Sequence, residues 1–519
     1  MPSQHWARDF FVTDDDVETL MGLLLERETP LSSDELARAL IDQRLQAQTA
    51  ALQERYKDVH LYNPADSYQV GQTLMFPALD HATAEVIELR PGINPDYGDF
   101  NVIRAQFEDQ TTREFASALT TGHKLSSGEV ATLPGLPELD ADEILREERD
   151  LILEKLADKL GSNNDLVSVA GKWFPRGLMI DVHEGYLNLA EAVLDMASGG
   201  PLLTEEIVEQ IGGLGSASQD LQVFSMNDAL NRDRRFDEVG PLNTVLWYLQ
   251  RGEPVEVLNT PEILRYSPLD YDPAILSAEE RALEAEIDDE WSPLRGLQEM
   301  PEFGEEVHLT LLFPHRRAGT LPLNAAMRHI FPTARRTERI AVTLVDGQDG
   351  EEYPGWVVRA DRYVYGLSEM YSKYKLPVGT QLIIRRQADS TKIVIDFPAH
   401  RPRTEWVRLV TSKNNLIAFE DQKRPIGTEY DDLMILGTDD LAEVDKLSAH
   451  YKRATLPSIL RTLIAELSHN SAQGTVHAKT LYSAFNVLRR CPPGPLFAAL
   501  EANSDFEHVG NHYWRLSEG

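Results

Sequence analysis

The chain has 519 residues and a formal net charge of −34, with 42% hydrophobic and 26% charged residues. This length predicts about three to five ordinary domains. Because no run of about eighteen apolar residues occurs and the first residues lack a secretory pattern, we expect a cytoplasmic protein without a membrane partner. The single cysteine, Cys491, excludes a disulfide framework, and the acidity favours basic protein partners over nucleic acid.

The N-terminal residues 1–62 predict a helix-turn-helix-like module. Leu20, Leu23 and Leu24 recur at helical spacing, and the segment "TPLSS" then interrupts the pattern. The following "DELARALI" has apolar residues on one helical face and acids in its first turn, where they suit the helix dipole.

Three further segments precede the basic part of the chain. Alternating residues punctuated by turn signals predict a small antiparallel β-barrel over residues 63–125. The charged amphipathic stretch "DADEILREERDLILEKLADKL" predicts a spacer helix, which opens a domain over residues 140–252. Proline and acidic residues, as in "DYDPAILSAEERALEAEIDDEWSPL", predict an acidic linker over residues 253–306.

One irregular phrase occurs twice. It is written "ALNRDRRFDEVG" at residues 229–240 and "ALEANSDFEHVG" at residues 499–510, and an aromatic segment ("TVLWYL", "HYWRL") follows each copy. A shorter pattern precedes each copy as "PLLTEEI" or "TVHAKTL", and this order predicts a three-helix core closed by a two-stranded hairpin. The N-terminal module has the shorter pattern as "PLSSDEL" but lacks the phrase, so "LYNPADSYQVGQTLMF" is considered as a different wing there.

These modules resemble the HARE-type winged helix-turn-helix family, best over residues 457–517, next over 187–250 and in part over 14–76. The acidic modules are similar to the HARE-type domain of the small acidic subunit of bacterial RNA polymerase. That resemblance implies RNA polymerase or another basic protein as a partner. The third helix of the C-terminal module lacks Lys and Arg, so we expect it to bind protein or to pack internally. The middle module, with basic and acidic residues mixed, leaves DNA contact open.

Residues 311–408 carry a net positive charge, opposite in sign to that of the rest of the chain. They hold 16 Lys or Arg and 10 Asp or Glu, which gives +6 there and −40 for the remaining residues. Arg predominates, and Arg favours bidentate contact with phosphate or guanine. Because "RIAVTLVD", "LPVGTQLIIRR" and "KIVIDF" predict strands, we expect a basic β-domain over residues 307–410 that binds double-stranded DNA.

The segments "LPLNAAMRHIF", "VTLVDGQDG", "GWVV" and "YGLSEMYSKYKLPVGTQLII" make residues 307–397 similar to a known pseudobarrel. It is the DNA-binding domain of plant auxin-response-type transcription factors and of restriction-endonuclease effector domains. Thr380 stands where that family usually has Asp. The resemblance implies DNA-gripping loops, and it gives these candidate DNA-binding residues: Arg316, Arg317, Arg335, Arg336, Arg359, Arg362 and Lys373.

Three patterns that suggest site chemistry are incomplete. Cys491, His508 and His512 include a His-x3-His spacing but no second cysteine for zinc. The segment "DGQDGEE" lacks the length of a calcium loop, and "GGLGSAS" lacks the Lys-Ser/Thr of a phosphate loop. We therefore expect no metal, no cofactor and no enzymatic activity.

The sequence thus predicts an α+β multidomain protein with winged-helix modules, a small antiparallel β-barrel and a β-pseudobarrel. A connecting segment at residues 411–450 leads to the C-terminal winged helix at 451–519. The predicted function is modular DNA binding in bacterial transcription or nucleoid regulation, with the basic domain on DNA and the acidic modules on protein. Two alternatives are a DNA-recognition component of a nucleic-acid defence system and an acidic interaction scaffold that binds no DNA.

Overall fold

The computed structural model describes residues 10–55, 59–76, 79, 81–94, 97–120, 140–293, 305–334, 336–387, 391–435, 437–469, 471 and 473–517. The structure is mixed α/β, with 38% helix and 28% strand, which confirms the predicted combination of helices with several sheets. It divides into two compact units, Met1–Met179 and Ile180–Gly519. Within the described ranges, helices with enough length and apolar character to span a membrane are absent.

The first unit begins with α1 (Asp14–Arg27), β1 (Leu31–Ser32) and α2 (Ser33–Arg55). Thr13 caps α1, because its Oγ1 accepts the Asp16 backbone N–H at 3.2 Å and the Asp16 carboxylate accepts the Thr13 N–H at 2.7 Å. The helices therefore start where the sequence supplies capping groups.

A five-stranded sheet follows in the order β2-β3-β4-β5-β6, with Tyr62, Phe76, Phe107 and Phe115 packed together in its core. Its strands are β2 (Val59–Leu61), β3 (Thr73–Phe76), β4 (Ala82–Pro91), β5 (Asn101–Phe107) and β6 (Thr112–Ser117). The segment considered as a wing of the first helices, "LYNPADSYQVGQTLMF", thus supplies strand residues to this separate sheet.

The chain then returns to the first helices through α3 (Ala141–Gly161), β7 (Leu166–Val169) and β8 (Lys172–Pro175). These strands join β1 in the order β1-β8-β7, with Leu31 opposite Trp173, and Trp173 Nε1 donates to Ser33 Oγ at 2.9 Å. We call α1–α2 with α3–β8 the first module. The helix predicted to be a spacer is its third helix, and the compact-unit boundary lies inside the predicted 140–252 domain.

The second module, residues 184–249, repeats this order in one continuous stretch. It contains α4 (Glu184–Met196), β9 (Leu202–Leu203), α5 (Thr204–Gln210), α6 (Gln219–Arg232), β10 (Phe236–Glu238) and β11 (Leu246–Leu249). The sheet order is β10-β11-β9, and Phe236 pairs with Leu249. Buried Trp247 donates its Nε1 to Asn227 Oδ1 at 2.9 Å, which fixes the hairpin on the helices.

Residues 255–293, which we call the strap, were predicted as part of an acidic linker. They contain α7 (Val255–Leu258) and α8 (Ala278–Ile287), with short 3-10 turns between them. Leu276 and Leu283 join the largest hydrophobic core, because apolar residues recur among the acids at helical spacing. The strap therefore packs against the core at Leu276 and Leu283, whereas residues 267–270 and 272–275 are exposed.

A seven-stranded mixed sheet curls into a half-barrel in the order β12-β17-β18-β14-β15-β16-β13. Among the described residues of this sheet, β14 and β18 pair in parallel and the other neighbouring strands are antiparallel. The elements are β12 (Glu306–Thr310), α9 (Phe313–Ala318), β13 (Thr320–Pro322), α10 (Met327–Ile330), β14 (Arg339–Asp346), β15 (Glu352–Val358), β16 (Tyr363–Tyr365), α11 (Ser368–Lys373), β17 (Gln381–Arg386) and β18 (Lys392–Asp396).

Two long antiparallel strands, β19 (Ala399–Lys413) and β20 (Leu416–Thr428), form a separate two-stranded sheet that we call the ribbon. Asn414 and Asn415 turn it with φ of 56° and 61°, the left-handed values that a tight hairpin turn requires and that Asn tolerates. The predicted domain boundary at residue 410 falls inside β19.

The third module, residues 456–516, again has three helices and the sheet order β21-β23-β22. It follows α12 (Leu441–Tyr451) and contains α13 (Leu456–Ser468), β21 (Val476–His477), α14 (Ala478–Leu488), α15 (Pro493–Ala502), β22 (Phe506–Gly510) and β23 (Tyr513–Leu516). Its third helix, α15, packs against the strap helix α8 and is almost wholly buried.

Candidate nucleic-acid interface

The cations that the sequence assigned to DNA do not share one open surface. Arg316 extends into the interior of the half-barrel, where its Nε donates to the Leu376 carbonyl at 2.5 Å and its guanidinium lies over the Tyr371 ring. Burial lowers the pKa of Arg316. Its contacts are therefore those of a structural residue.

Arg317 and Lys373 are neutralised by carboxylates. Arg317 makes a bidentate pair with Asp445, at 2.6 and 2.8 Å. The Lys373 ammonium contacts Asp346 at 3.0 Å, Asp349 at 2.5 Å and Glu351 at 2.8 Å. Hydrogen bonds to Asp349 and Glu351 raise the pKa of Lys373, so its charge is committed to these neighbours.

The same three carboxylates come from the "DGQDGEE" turn that was considered as a calcium loop. Among the described residues they are close enough together to hold a cation in common. The Lys373 ammonium lies among these three carboxylates.

The remaining predicted cations either donate to backbone carbonyls or lie at the surface. Arg359 donates to the Thr337 carbonyl at 2.7 Å, and Arg362 donates to the Glu290 carbonyl at 3.0 Å while stacking on Trp291. Arg336 is exposed. Arg335 lies outside the described residues. The exposed Arg336 lies within electrostatic reach of Glu238.

In the second module Arg234 is exposed, whereas the two neighbouring arginines are paired with acids. Arg232 pairs with Asp228, and Arg235 is surrounded by Asp233, Glu191 and Glu184. Its hairpin also meets the half-barrel, where the Val239 carbonyl accepts the Ala341 N–H at 2.9 Å. The face of the hairpin nearest the half-barrel is thus already covered.

The ribbon carries further exposed cations. Residues 399–428 contain six Lys or Arg and three Asp or Glu, a net charge of +3 in an acidic chain. Arg401, Arg403 and Lys423 are exposed. Within the described part of the chain, the guanidinium groups of Arg401 and Arg403 have no ion-pair partner. These charges are available to an incoming polyanion.

An exposed aromatic lies on the face of the ribbon opposite to Arg403. Trp406 is 66% exposed and pairs across the ribbon with Lys423, whose Nζ lies 5.0 Å from the indole ring centre. Because side chains alternate along a strand, Thr404 and Trp406 project from one face of the ribbon. That face combines a planar apolar ring with a positive charge beside it.

One ionic cluster of the second unit is buried in the interior. Arg490 is fully buried and contacts Asp289 at 2.5 Å and Glu290 at 2.6 Å. Tyr482 donates to Asp289 at 2.5 Å, and His315 Nε2 lies 3.3 Å from Glu290. Burial alone would raise the pKa of Glu290, but the Arg490 charge lowers it well below the ordinary value. This cluster holds the strap to the third module.

Sequence reasoning counted Arg401 and Arg403 in the basic segment but did not assign them to the site. The signal was present in "RPRTEWVRLV", where a tryptophan occupies the polar side of an alternating strand. Its partner strand lies beyond the boundary placed at residue 410, so the pairing of Trp406 with Lys423 could not be anticipated.

The described geometry therefore favours the ribbon over the half-barrel loops as a surface for a polyanion. Comparison of the chain with protein-family models, with curated proteins and with solved structures returned no match.

Proposed function

We propose that the chain is a modular DNA-binding protein of bacterial transcription or nucleoid regulation, and that the ribbon is its contact surface for double-stranded DNA. The observation that carries this proposal is the exposure of Arg401, Arg403, Lys423 and Trp406 on one two-stranded element. Attraction of phosphate requires cations that are not already paired with carboxylates. These ribbon cations have no such pairs among the described residues, whereas Arg317 and Lys373 do.

A two-stranded ribbon suits this task because such an element fits the grooves of duplex DNA. Arg401 and Arg403 would neutralise phosphates, while the Trp406 ring would stack on a base or sugar face beside Lys423. The strongly acidic remainder of the chain opposes long-range attraction, so binding depends on this local reversal of charge.

The rest of the molecule supports a modular architecture. The three modules share one order of helices and strands, and in each sheet the short strand that precedes the second helix lies beside the last strand. We propose that they are winged helices, that the five-stranded sheet is a small β-barrel and that the half-barrel is a pseudobarrel. In this proposal the acidic modules engage RNA polymerase or another basic protein in the cytoplasm, without a cofactor or enzymatic activity.

The test is retardation of a duplex DNA fragment by the full-length protein at several salt concentrations. The triple variant Arg401→Gln/Arg403→Gln/Lys423→Gln is compared with the matched control Arg27→Gln/Arg146→Gln/Arg281→Gln, which removes three exposed cations elsewhere. We expect the parent and the control to bind alike. The ribbon variant should bind more weakly, and its slope of log affinity against log salt should be shallower by about three.

Equal binding by the parent and the ribbon variant would reject the ribbon as the contact surface. Absence of binding by the parent at low salt would reject the DNA-binding function itself. The second candidate would then be favoured, namely an acidic scaffold that binds only protein. The observation behind that candidate is the neutralisation of Arg317 and Lys373 by Asp445, Asp346, Asp349 and Glu351.

A further inference from the structure

A cavity of about 370 Å³ lies where the strap, the half-barrel and the third module meet. The strap supplies Tyr266, Tyr271 and Trp291 to its lining, the half-barrel supplies Arg362, and the third module supplies two prolines at the start of α15. Pockets for small molecules usually measure about 300–1,000 Å³ and combine aromatic and apolar walls with a few polar groups. This cavity has that size and that composition.

The aromatic rings provide a surface on which a flat molecule can stack. The ring centres of Tyr266 and Trp291 lie 5.9 Å apart, with an angle of 48° between the ring planes. Both rings and that of Tyr271 belong to partly exposed residues. Because aromatic side chains stack on planar groups, the three rings favour a ligand with a planar ring system.

The lining also contains hydrogen-bond donors that no anion of the protein uses. Arg362 donates to the Glu290 carbonyl at 3.0 Å and stacks on Trp291, but within the described ranges its guanidinium has no ion-pair partner. A guanidinium carries further N–H donors. Trp291 Nε1 and Ser292 Oγ, on two adjacent lining residues, are buried without a hydrogen-bond partner. Such atoms are uncommon, so an anionic acceptor from outside the protein is indicated.

A carboxylate supplies an acceptor to the same lining. Tyr271 Oη and Glu284 Oε1 approach Gly494 so closely that a Cβ atom built there would lie 2.3 and 2.4 Å from them. The two oxygens are therefore neighbours. Burial, together with the Glu284 charge, raises the pKa of Tyr271 to about 12, so its hydroxyl keeps its proton at physiological pH. The cavity thus offers a carboxylate acceptor as well as a guanidinium.

We propose that this cavity binds a nucleotide whose base carries an exocyclic amino group. The base stacks on the tyrosine rings, its amino group donates to Glu284, and its phosphate accepts from Arg362, with Trp291 and Ser292 as further donors. A planar hydrocarbon would use neither Glu284 nor Arg362, whereas a nucleotide joins a flat ring, a donor and an anion in one molecule. The lining comes from outside the ribbon, so this site does not depend on the proposed DNA contact.

Two sources present this chemistry, a free mononucleotide and an unpaired residue of single-stranded DNA. The first experiment titrates the full-length protein with AMP, GMP, CMP and UMP, and separately with single-stranded oligodeoxyadenylate, by isothermal titration calorimetry. We expect saturable binding that is weakest for UMP, because uracil lacks the exocyclic amino group. Absence of saturable binding for every probe, or equal binding of UMP and the other nucleotides, would overturn the proposal.

The second experiment assigns the binding to the cavity. Arg362→Gln should weaken AMP binding by about tenfold or more, because it removes the cation that faces the phosphate. The matched control Arg386→Gln, which removes an exposed arginine of the half-barrel outside the lining, should bind as the parent does. Oligodeoxyadenylate binding that is lost in Arg362→Gln but kept in Arg403→Gln would identify an unpaired DNA residue as the source when the mononucleotides do not bind. Binding that Arg362→Gln leaves unchanged contradicts the site.

The third experiment tests the carboxylate and controls for folding. Glu284→Gln should reduce the preference for AMP over UMP, because an amide both donates and accepts, whereas Glu279→Gln on the same helix should keep the preference. AMP should raise the Tm of the parent, of Glu279→Gln and of Arg386→Gln, but much less that of Arg362→Gln. An equal rise in Arg362→Gln would place the nucleotide elsewhere on the protein.

Discussion

The interior of the second unit and the ribbon use cations in opposite ways. Arg490 is fully buried and in contact with two carboxylates, whereas Arg401 and Arg403 stand in solvent. Both kinds of residue contribute equally to a charge count along the sequence. The comparison teaches that a local excess of arginine becomes a binding surface only where the fold leaves the guanidinium groups without partners.

The half-barrel lies between these extremes. Its sequence carries most of the basic residues that suggested DNA binding, yet Arg316 donates to a backbone carbonyl and Lys373 balances three acids. Arg339 similarly contacts Asp237 and Glu253. These cations of the half-barrel therefore stabilise the structure. Arg336, Lys375 and Arg386 remain exposed, and the ribbon beside the half-barrel in sequence adds further exposed cations.

The largest expected effect follows from removing the most deeply buried cation. Arg490→Met leaves Asp289 and Glu290 buried without their counter-ion, so we expect a loss of about 3–5 kcal/mol in the free energy of unfolding. Chemical denaturation of the full-length protein measures it. The matched ribbon substitution Arg401→Met should change stability by no more than about 0.5 kcal/mol. Similar losses of unfolding free energy in both variants would show that the buried and the exposed arginines contribute alike to stability.

The second effect concerns binding rather than stability. Because Trp406 is mostly exposed, Trp406→Ala should leave the Tm nearly unchanged but remove a stacking surface for DNA. The expected loss is about 1–3 kcal/mol of binding free energy, or roughly 5–150-fold in Kd. Fluorescence anisotropy with labelled duplex DNA measures it, with Trp406→Phe retaining most of the affinity. If Trp406→Ala binds as the parent does, the ring has no role in the interface.

A smaller effect depends on pH and involves Glu253. Burial and the nearby Asp237 raise the pKa of this carboxyl to about 8, although Arg339 lies 3.0 Å away. A folded-state pKa above the unfolded value near 4.5 gives stability that is complete below pH 4.5 and is lost as the pH rises through 8. Glu253→Gln should therefore match the parent near pH 4.5 and exceed its stability by roughly 1–2 kcal/mol at pH 9.

Denaturation at both pH values tests this difference within one pair of proteins. A variant that is less stable than the parent at pH 9 would mean that Glu253 is held ionised by Arg339. The interior pair would then stabilise the protein at high pH, and the assigned direction of the pKa shift would be wrong.

Short-range sequence patterns predicted a two-stranded hairpin after each copy of the repeated phrase. The structure has both hairpins, with Phe236 opposite Leu249 and Phe506 opposite Leu516. Long-range relations could not be predicted in this way. The "DADEILREERDLILEKLADKL" helix closes a module whose first two helices lie before the five-stranded sheet, and no local signal marks such an insertion.

The candidate sites show the same limit. Residue type and spacing identified a basic segment, but which cations remain free depends on carboxylates distant in sequence, such as Asp445 for Arg317. Tyr271 of the strap and Arg362 of the half-barrel likewise line one cavity although they are distant in sequence. Tryptophan is usually buried in a core, so exposure of Trp406 also required the fold to be known.

The smallest expected effect distinguishes the loop arginines from the ribbon. Arg317→Gln breaks a pair whose partner, Asp445, is more than half exposed, so we expect a loss of no more than about 1 kcal/mol in stability. DNA affinity at fixed salt should change by less than about twofold, because the guanidinium is already held by a carboxylate. The reference is Arg403→Gln, which removes the same charge from the ribbon and should weaken binding further. If Arg317→Gln weakens binding as much as Arg403→Gln does, the Asp445 pair opens on DNA and the half-barrel loops belong to the interface after all.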